Sequence, residues 1–276
     1  MIIWGISWSV AKVLSNYSDP ITLTLVRYGI VIIMFPICLK LLKVPIKINK
    51  NGILPLLGAG GFMALYTLSF FYGLQIGKAG KAGVLVTTIN PIFAYVIGII
   101  VSKITPNKKE ITGLTFGLIS GVILLKLYED VSLFLEAQNY IFVLGALLWA
   151  IMAKFSSKAK NYGHPLAFSF WINVITFLAV LPFVNIQHIT EIFAIKDTLF
   201  WGNMGYFSII NTIGATSIFI LATNKLGAEK SSAFIFIVPL MAALSTWIFL
   251  GETIEINTII GGTLGMISVF LINSNK

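Results

Sequence analysis

The stretch ILPLLGAGGFMALYTLSFFYGLQI, residues 53–76, runs for 24 positions without a charged side chain. As a helix it is about 36 Å long, enough to cross the roughly 30 Å of bilayer hydrocarbon. Stretches of the same kind lie on both sides of it. Cutting the chain at charges and Pro/Gly clusters gives ten apolar spans, near 1–15, 20–40, 53–76, 82–102, 111–127, 139–154, 165–185, 198–222, 231–250 and 256–273. The connections are short and leave no room for a soluble domain. The first span, about 15 residues or ~22 Å, reads as a short helix or as the end of one that begins upstream.

Composition agrees with these spans. Of 276 residues, 57% are hydrophobic and 11% charged, less than half the roughly 25% charge of a soluble globular domain. So little charge on so much apolar mass excludes a soluble enzyme and a disordered chain. The expected fold class is all-α integral membrane.

The formal charge of +9 is no nucleic-acid signal, because Arg27 is the single arginine among 19 basic residues and binders of nucleic acid cluster arginines on one face. Sorted by connection, thirteen lysines fall on one side of the membrane and four, Lys78, Lys81, Lys126 and Lys196, on the other. Basic residues favour cytoplasmic loops, so both termini are expected in the cytoplasm of a bacterial inner-membrane protein. Asp19, Glu129, Asp130, Glu136, Glu191, Asp197, Glu252 and Glu255 fall on the lysine-poor side. Cys38 is alone, and His164 and His188 lie outside the apolar stretches, so no metal, haem or other cofactor is expected. The start lacks a basic n-region and a small-residue cleavage site, so no cleavable signal peptide is read there.

Sliding the sequence on itself gives matches at two offsets. At 145, Trp4 meets Trp149, Asn16-Tyr17 meets Asn161-Tyr162, and Pro20 meets Pro165. At 148, Pro91 meets Pro239, Gly113 meets Gly261, Gly117 meets Gly265, and Ile119-Ser120 meets Ile267-Ser268. Trp, Pro and Gly carry the weight, since each fixes backbone or interface geometry. The expectation is two five-helix repeats, 1–137 and 138–276. An odd number of spans per repeat makes the halves enter the membrane in opposite directions, as in many secondary transporters.

These residues resemble the drug/metabolite transporter superfamily, specifically its EamA-type members. Trp4-Gly5 with Lys12, Pro20 and Arg27 carry the likeness in the first half. Pro239, Leu250-Gly251-Glu252 and Gly261 carry it in the second. In the first half Pro91 and Gly113 keep the spacing, but Lys103-Ile104 stands where the family usually shows Gly-Glu. No role for a Glu is therefore carried over to that half. The resemblance spans the whole chain and implies a ten-helix transporter; it does not name the substrate.

Charge inside hydrocarbon is costly and functional by default. Arg27, about 10 Å along the second span from Pro20, and Lys12 both suit attraction of an anionic group such as a carboxylate. The plainer alternatives are snorkelling or, for Arg27, pairing with Asp19 or with carbonyls ending the first span. No Asp or Glu falls in the middle of a span, whereas small multidrug pumps resembling half of this architecture depend on a membrane carboxylate. Proton-coupled export of lipophilic cations is therefore disfavoured. Glu252, at a span end, reads as a solvated charge or a helix-end partner.

Uncharged groups supply most of the expected cavity. In the third span Phe62, Tyr66, Ser69 and Gly73 share a helical face; Ile210, Gly214 and Ser217, with Asn203 and Asn211 nearby, answer them in the eighth. Trp4 and Trp8 lie in the first span and Trp149 in the sixth. Asn90 precedes Pro91, which frees the carbonyl of residue 87 from its helical bond. The substrate-binding candidates are Trp4, Trp8, Arg27, Tyr66, Ser69, Asn90, Trp149, Asn211 and Ser217, with Pro91 and Pro239 as kinks or hinges. Each taken singly also suits packing or an interhelical hydrogen bond. Glycine stripes at 113, 117 and 121 and at 261 and 265 suit close helix approach within the chain or across a homodimer.

The function expected is secondary transport (export, facilitation or exchange) of small polar metabolites through the bilayer by alternating access. Amino acids or related compounds lead, partly through the resemblance. A nucleotide-derived solute such as S-adenosylmethionine, or an organic anion using Arg27, is the alternative. A membrane-embedded enzyme is disfavoured, because paired intramembrane aspartates, a nucleophile elbow, HExxH and an Asp-rich diphosphate site are all missing.

Overall fold

A computed structural model of the chain describes residues 1–102, 105, 107–157, 159–219 and 237–273. Among these the protein is helical, with one isolated bridge, Ile48–Gly163, as its β-type pairing. The first half forms α1 (Ile2–Leu14), α2 (Pro20–Leu41), α3 (Ile53–Ile76), α4 (Ala79–Ser102) and α5 (Lys108–Leu124). The second forms α6 (Ala137–Ser156), α7 (Pro165–Val180), α8 (Ile186–Ala194), α9 (Thr198–Gly205), α10 (Ile237–Leu250) and α11 (Ile256–Asn273). Residues Tyr206–Ala215 continue α9 as a π-helix.

Local chemistry sets the ends. Asp19 caps α2 by accepting from the Ile21 and Thr22 N–H groups, with Pro20 preformed for the first helical position. His164 and Pro165 repeat that arrangement at the start of α7. Asn107 and Glu110 form a reciprocal capping box at α5.

Among the described residues five segments, Pro20–Leu41, Lys50–Ile76, Ala79–Val101, Ala137–Asn161 and Pro165–Phe183, are long and apolar enough to cross a membrane. Ile2–Leu14, Ile237–Leu250 and Ile256–Ile272 are apolar too but shorter. Large apolar side chains cover the outside: Ile33, Leu54, Ile100, Leu118, Trp247 and Phe270 are all exposed. In water such a surface would drive association; in lipid it is matched to its solvent.

Each helix of the first half has its principal partner in the second: α1 packs on α10, α2 on α7, α3 on α6, α4 on α6 and α10, and α5 on α11. The glycine stripes serve the last of these contacts within the chain. A Cβ on Gly113 would lie 2.9 Å from the Ser268 carbonyl, and one on Gly261 2.7 Å from Leu124. Ser120 Oγ donates to the Gly261 carbonyl at 2.7 Å, and Ser268 Oγ to the Gly113 carbonyl at 2.6 Å. The 148-residue offset, which equates Ser120 with Ser268 and Gly113 with Gly261, maps one of these bonds onto the other.

Several expectations need correction. The segment 186–194, read as connection, is the amphipathic helix α8, and α4 begins at Ala79 rather than near 82. Lys103, Ile104, Lys158, Lys225, Lys230 and Lys276 lie outside the described residues, as do the end of the eighth span and the start of the ninth.

Candidate functional site

Where α1, α3 and α6 meet, three candidates share one aromatic cluster. Trp149 stands edge-on to Trp4 (centroids 6.4 Å) and to Tyr66 (4.8 Å). Trp4 also meets Phe219 at 5.0 Å, just beyond the π-helix. Phe70 extends the cluster, with Tyr66 at 5.9 Å, Trp8 at 4.9 Å and Phe207 at 5.9 Å. Trp4 and Trp149, equated by the 145-residue offset, thus touch across the seam between the halves. Trp8 is buried in the core against Phe70.

Arg27 lies at the far end of this chain of rings. It is 6% exposed. Its guanidinium sits 3.8 Å over the Phe207 ring and 5.1 Å from that of Tyr28. One Nη donates to Thr212 Oγ1 at 2.9 Å; that hydroxyl in turn donates to the Phe207 carbonyl. Nε is buried without a partner among the described residues. Asp19, the acid proposed as its partner, is engaged elsewhere (below), and among the described residues no carboxylate pairs with Arg27.

The π-helix changes which residues face the site. An α-helical reading placed Ile210, Gly214 and Ser217 on the facing stripe, but Ile210 is exposed on the outside. Five-residue winding instead stacks Thr212 over Phe207 and Thr216 over Asn211, and the two threonine hydroxyls donate to those carbonyls. Phe207, Ser208, Asn211 and Thr212 are all buried. Among the described residues Ser208 Oγ, Asn211 Oδ1 and Ser217 Oγ have no hydrogen-bond partner. π-Segments are rare and often mark functional sites. Phe207, Ser208 and Thr212 were missed because their placement depends on that winding; Asn211 beside Thr212 was the available hint.

Other candidates have local duties. Asn90 Nδ2 donates to the Ala146 carbonyl at 3.0 Å, joining α4 to α6, and Ser69 Oγ returns to the Leu65 carbonyl of its own helix. Pro91 lies inside α4 without ending it. Pro239 is the third residue of α10, and the residues before Ile237 lie outside the description. Lys12 donates to the Leu74 and Gly77 carbonyls, the second at 3.0 Å. It thereby caps the C-terminus of α3, where a cation meets the negative end of the helix dipole.

Charges at the lysine-poor end are engaged with one another. Gly251, at φ +67°, ends α10 in the left-handed region that favours glycine. Glu252 follows and accepts from the Ala79 and Gly80 N–H groups at 2.9 and 2.7 Å, capping α4 from the other half. This is the helix-end role, and it explains why Gly precedes Glu. Glu255 binds Lys78 at 3.2 Å and Lys126 at 3.1 Å; Lys126 holds its carboxyl below the usual carboxylate range. Asp19 faces His188 at 2.8 Å. Burial pushes the Asp19 carboxyl up, but its hydrogen bonds outweigh this and hold it low. Tyr17 donates to Asp197, which is also held low, first by that bond. Among the described residues no group of three or more His, Cys, Asp or Glu is placed to hold a metal ion.

Among the described residues, helices long and apolar enough to cross a membrane thus surround a seam of aromatic rings, unpaired polar atoms and a buried cation, Arg27. The chain belongs to the EamA-like transporter family, whose model matches residues 1–126 and 139–274. It is 27% identical to the uncharacterized transporter YoaV of Bacillus subtilis (strain 168), over 98% of this chain and 92% of that protein. It is 20% identical to a probable amino-acid metabolite efflux pump of Salmonella typhimurium, over 98% of this chain and 91% of that one. A solved crystal structure superposes with a TM-score of 0.66 at 14% identity, covering 98% of this chain and 92% of the other.

Proposed function

We propose that the protein carries small polar metabolites, foremost amino acids or related compounds, across a bacterial inner membrane by alternating access. The halves 1–137 and 138–276 act as inverted repeats with both termini in the cytoplasm. The substrate lies along the seam bounded by Trp4, Tyr66, Trp149 and the Arg27 region, with Asn211 and Ser217 offering polar contacts. Trp8, Ser69 and Asn90 support the wall, and Pro91 and Pro239 give α4 and α10 room to bend. The observation that carries this reading is the Trp4–Trp149–Tyr66 cluster, built from both halves beside a helix with unpaired buried polar atoms. The amino-acid metabolite named for the Salmonella relative supports the substrate class.

Counterflow in proteoliposomes, with labelled amino acids, nucleosides and organic anions, tests it. Exchange of amino acids or related amphiphiles above protein-free vesicles is expected. No flux for any member would overturn the carrier reading. Cysteines placed at Lys47 and Glu129 test the orientation: an impermeant reagent outside intact cells should label only the second.

A further inference from the structure

A buried guanidinium in hydrocarbon normally answers its charge with a carboxylate or a set of carbonyls. Arg27 has neither among the described residues; a threonine hydroxyl and two aromatic faces hold it, and Nε faces no acceptor. The hydroxyl of Ser208, on the same π-helical segment as Thr212, is likewise unpaired among those residues. We infer that Arg27 is the seat of a substrate carboxylate, which takes two parallel N–H bonds from the guanidinium edge that includes Nε, with Ser208 as an additional hydroxyl donor.

This inference rests on the carrier reading and narrows it to substrates bearing a carboxylate. The guanidinium fork matches a planar carboxylate in a way that a point charge does not. The π-helix brings Ser208, Asn211 and Thr212 onto the segment that packs against α2. Asn211 Oδ1, an acceptor unpaired among the described residues, suits the ammonium of an amino acid. The rings at Phe70, Tyr66 and Trp149 continue from there and suit an apolar or aromatic body. The whole constellation fits a monocarboxylate with an apolar side chain, zwitterionic amino acids included.

The test compares acid and amide pairs: 3-phenylpropionate with 3-phenylpropionamide, and phenylalanine with phenylalaninamide. Binding to the full chain in detergent is followed by tryptophan fluorescence, and flux is followed in proteoliposomes. The native protein is expected to prefer each acid by about ten- to hundredfold, the ratio that charge-assisted hydrogen bonds supply. Arg27→Gln should bring that ratio to about one while amide binding persists. Arg27→Lys, which keeps the charge but loses the fork, should fall between and decides the matter if the Gln variant does not fold. An acid preference retained in folded Arg27→Gln, a full native preference in Arg27→Lys, or no preference in the native protein overturns the inference. Equal flux of acid and amide removes the carboxylate seat and leaves the carrier standing; acid that binds but is never moved does the reverse.

Discussion

The rim at the lysine-poor end and the centre of the bundle handle charge in opposite ways. At the rim Glu252 meets two backbone N–H groups, Glu255 two lysines, and Asp19 its helix cap and His188. At the centre a cation withdrawn from water has one hydroxyl and two rings. Rim charges close on one another across the halves, whereas on the reading proposed above the central groups are left for a substrate. On that reading the contrast separates structural charge from working charge.

The strongest way to break the contrast is to give the centre a rim-like partner. Thr212→Asp places a carboxylate where Arg27 already donates, and it should reduce carboxylate flux by an order of magnitude or more, because charge-assisted bonds within the pair compete with substrate. Undiminished flux would show that Arg27 is not a working charge. Next in size, Glu252→Gln weakens a charged cap and should lower stability by about 1–2 kcal/mol, read as thermal melting in detergent. Its acid-to-amide preference should not change; if it does, rim and centre are not separable.

A smaller effect is expected from acid. Because Asp19 titrates below its unfolded value of roughly 4, its contribution is present above that pH and disappears as pH falls through the folded value. Melting temperature should therefore drop on acidification below about pH 4, and Asp19→Asn should flatten that part of the profile. The smallest effect belongs to Glu255→Gln, since exposed ion pairs contribute about 0–1 kcal/mol. Its melting shift should vanish as salt rises.

Much of the fold was legible because hydrocarbon imposes a length rule. The span read at 53–76 coincides with α3, bounded by Gly52 and Gly77. Helix α8 escaped because nine residues containing His188 and Glu191 read as a polar connection. For the site, Arg27 was visible as a charge in an apolar run, and Trp4 and Trp149 as equivalent positions. Thr212 was not visible, because π-winding is a tertiary outcome that an α-helical period cannot express. The Leu250-Gly251-Glu252 motif was visible but its task was not: the N–H groups it serves are more than 170 residues away in sequence.

One consequence of the paired serine bonds between α5 and α11 concerns electricity. Ser120 and Ser268 join the two helices through neutral hydroxyls and carbonyls, so membrane voltage exerts no net force on that joint. A potential of 100 mV acts with roughly 2.3 kcal/mol on a full charge carried across the field. Among the groups described in the seam, Arg27 and whatever it holds are where such a force would be felt. The two serine bonds are electrically silent in themselves, so on the proposed reading it is Arg27 with a bound carboxylate, and not this joint, that would couple transport to voltage.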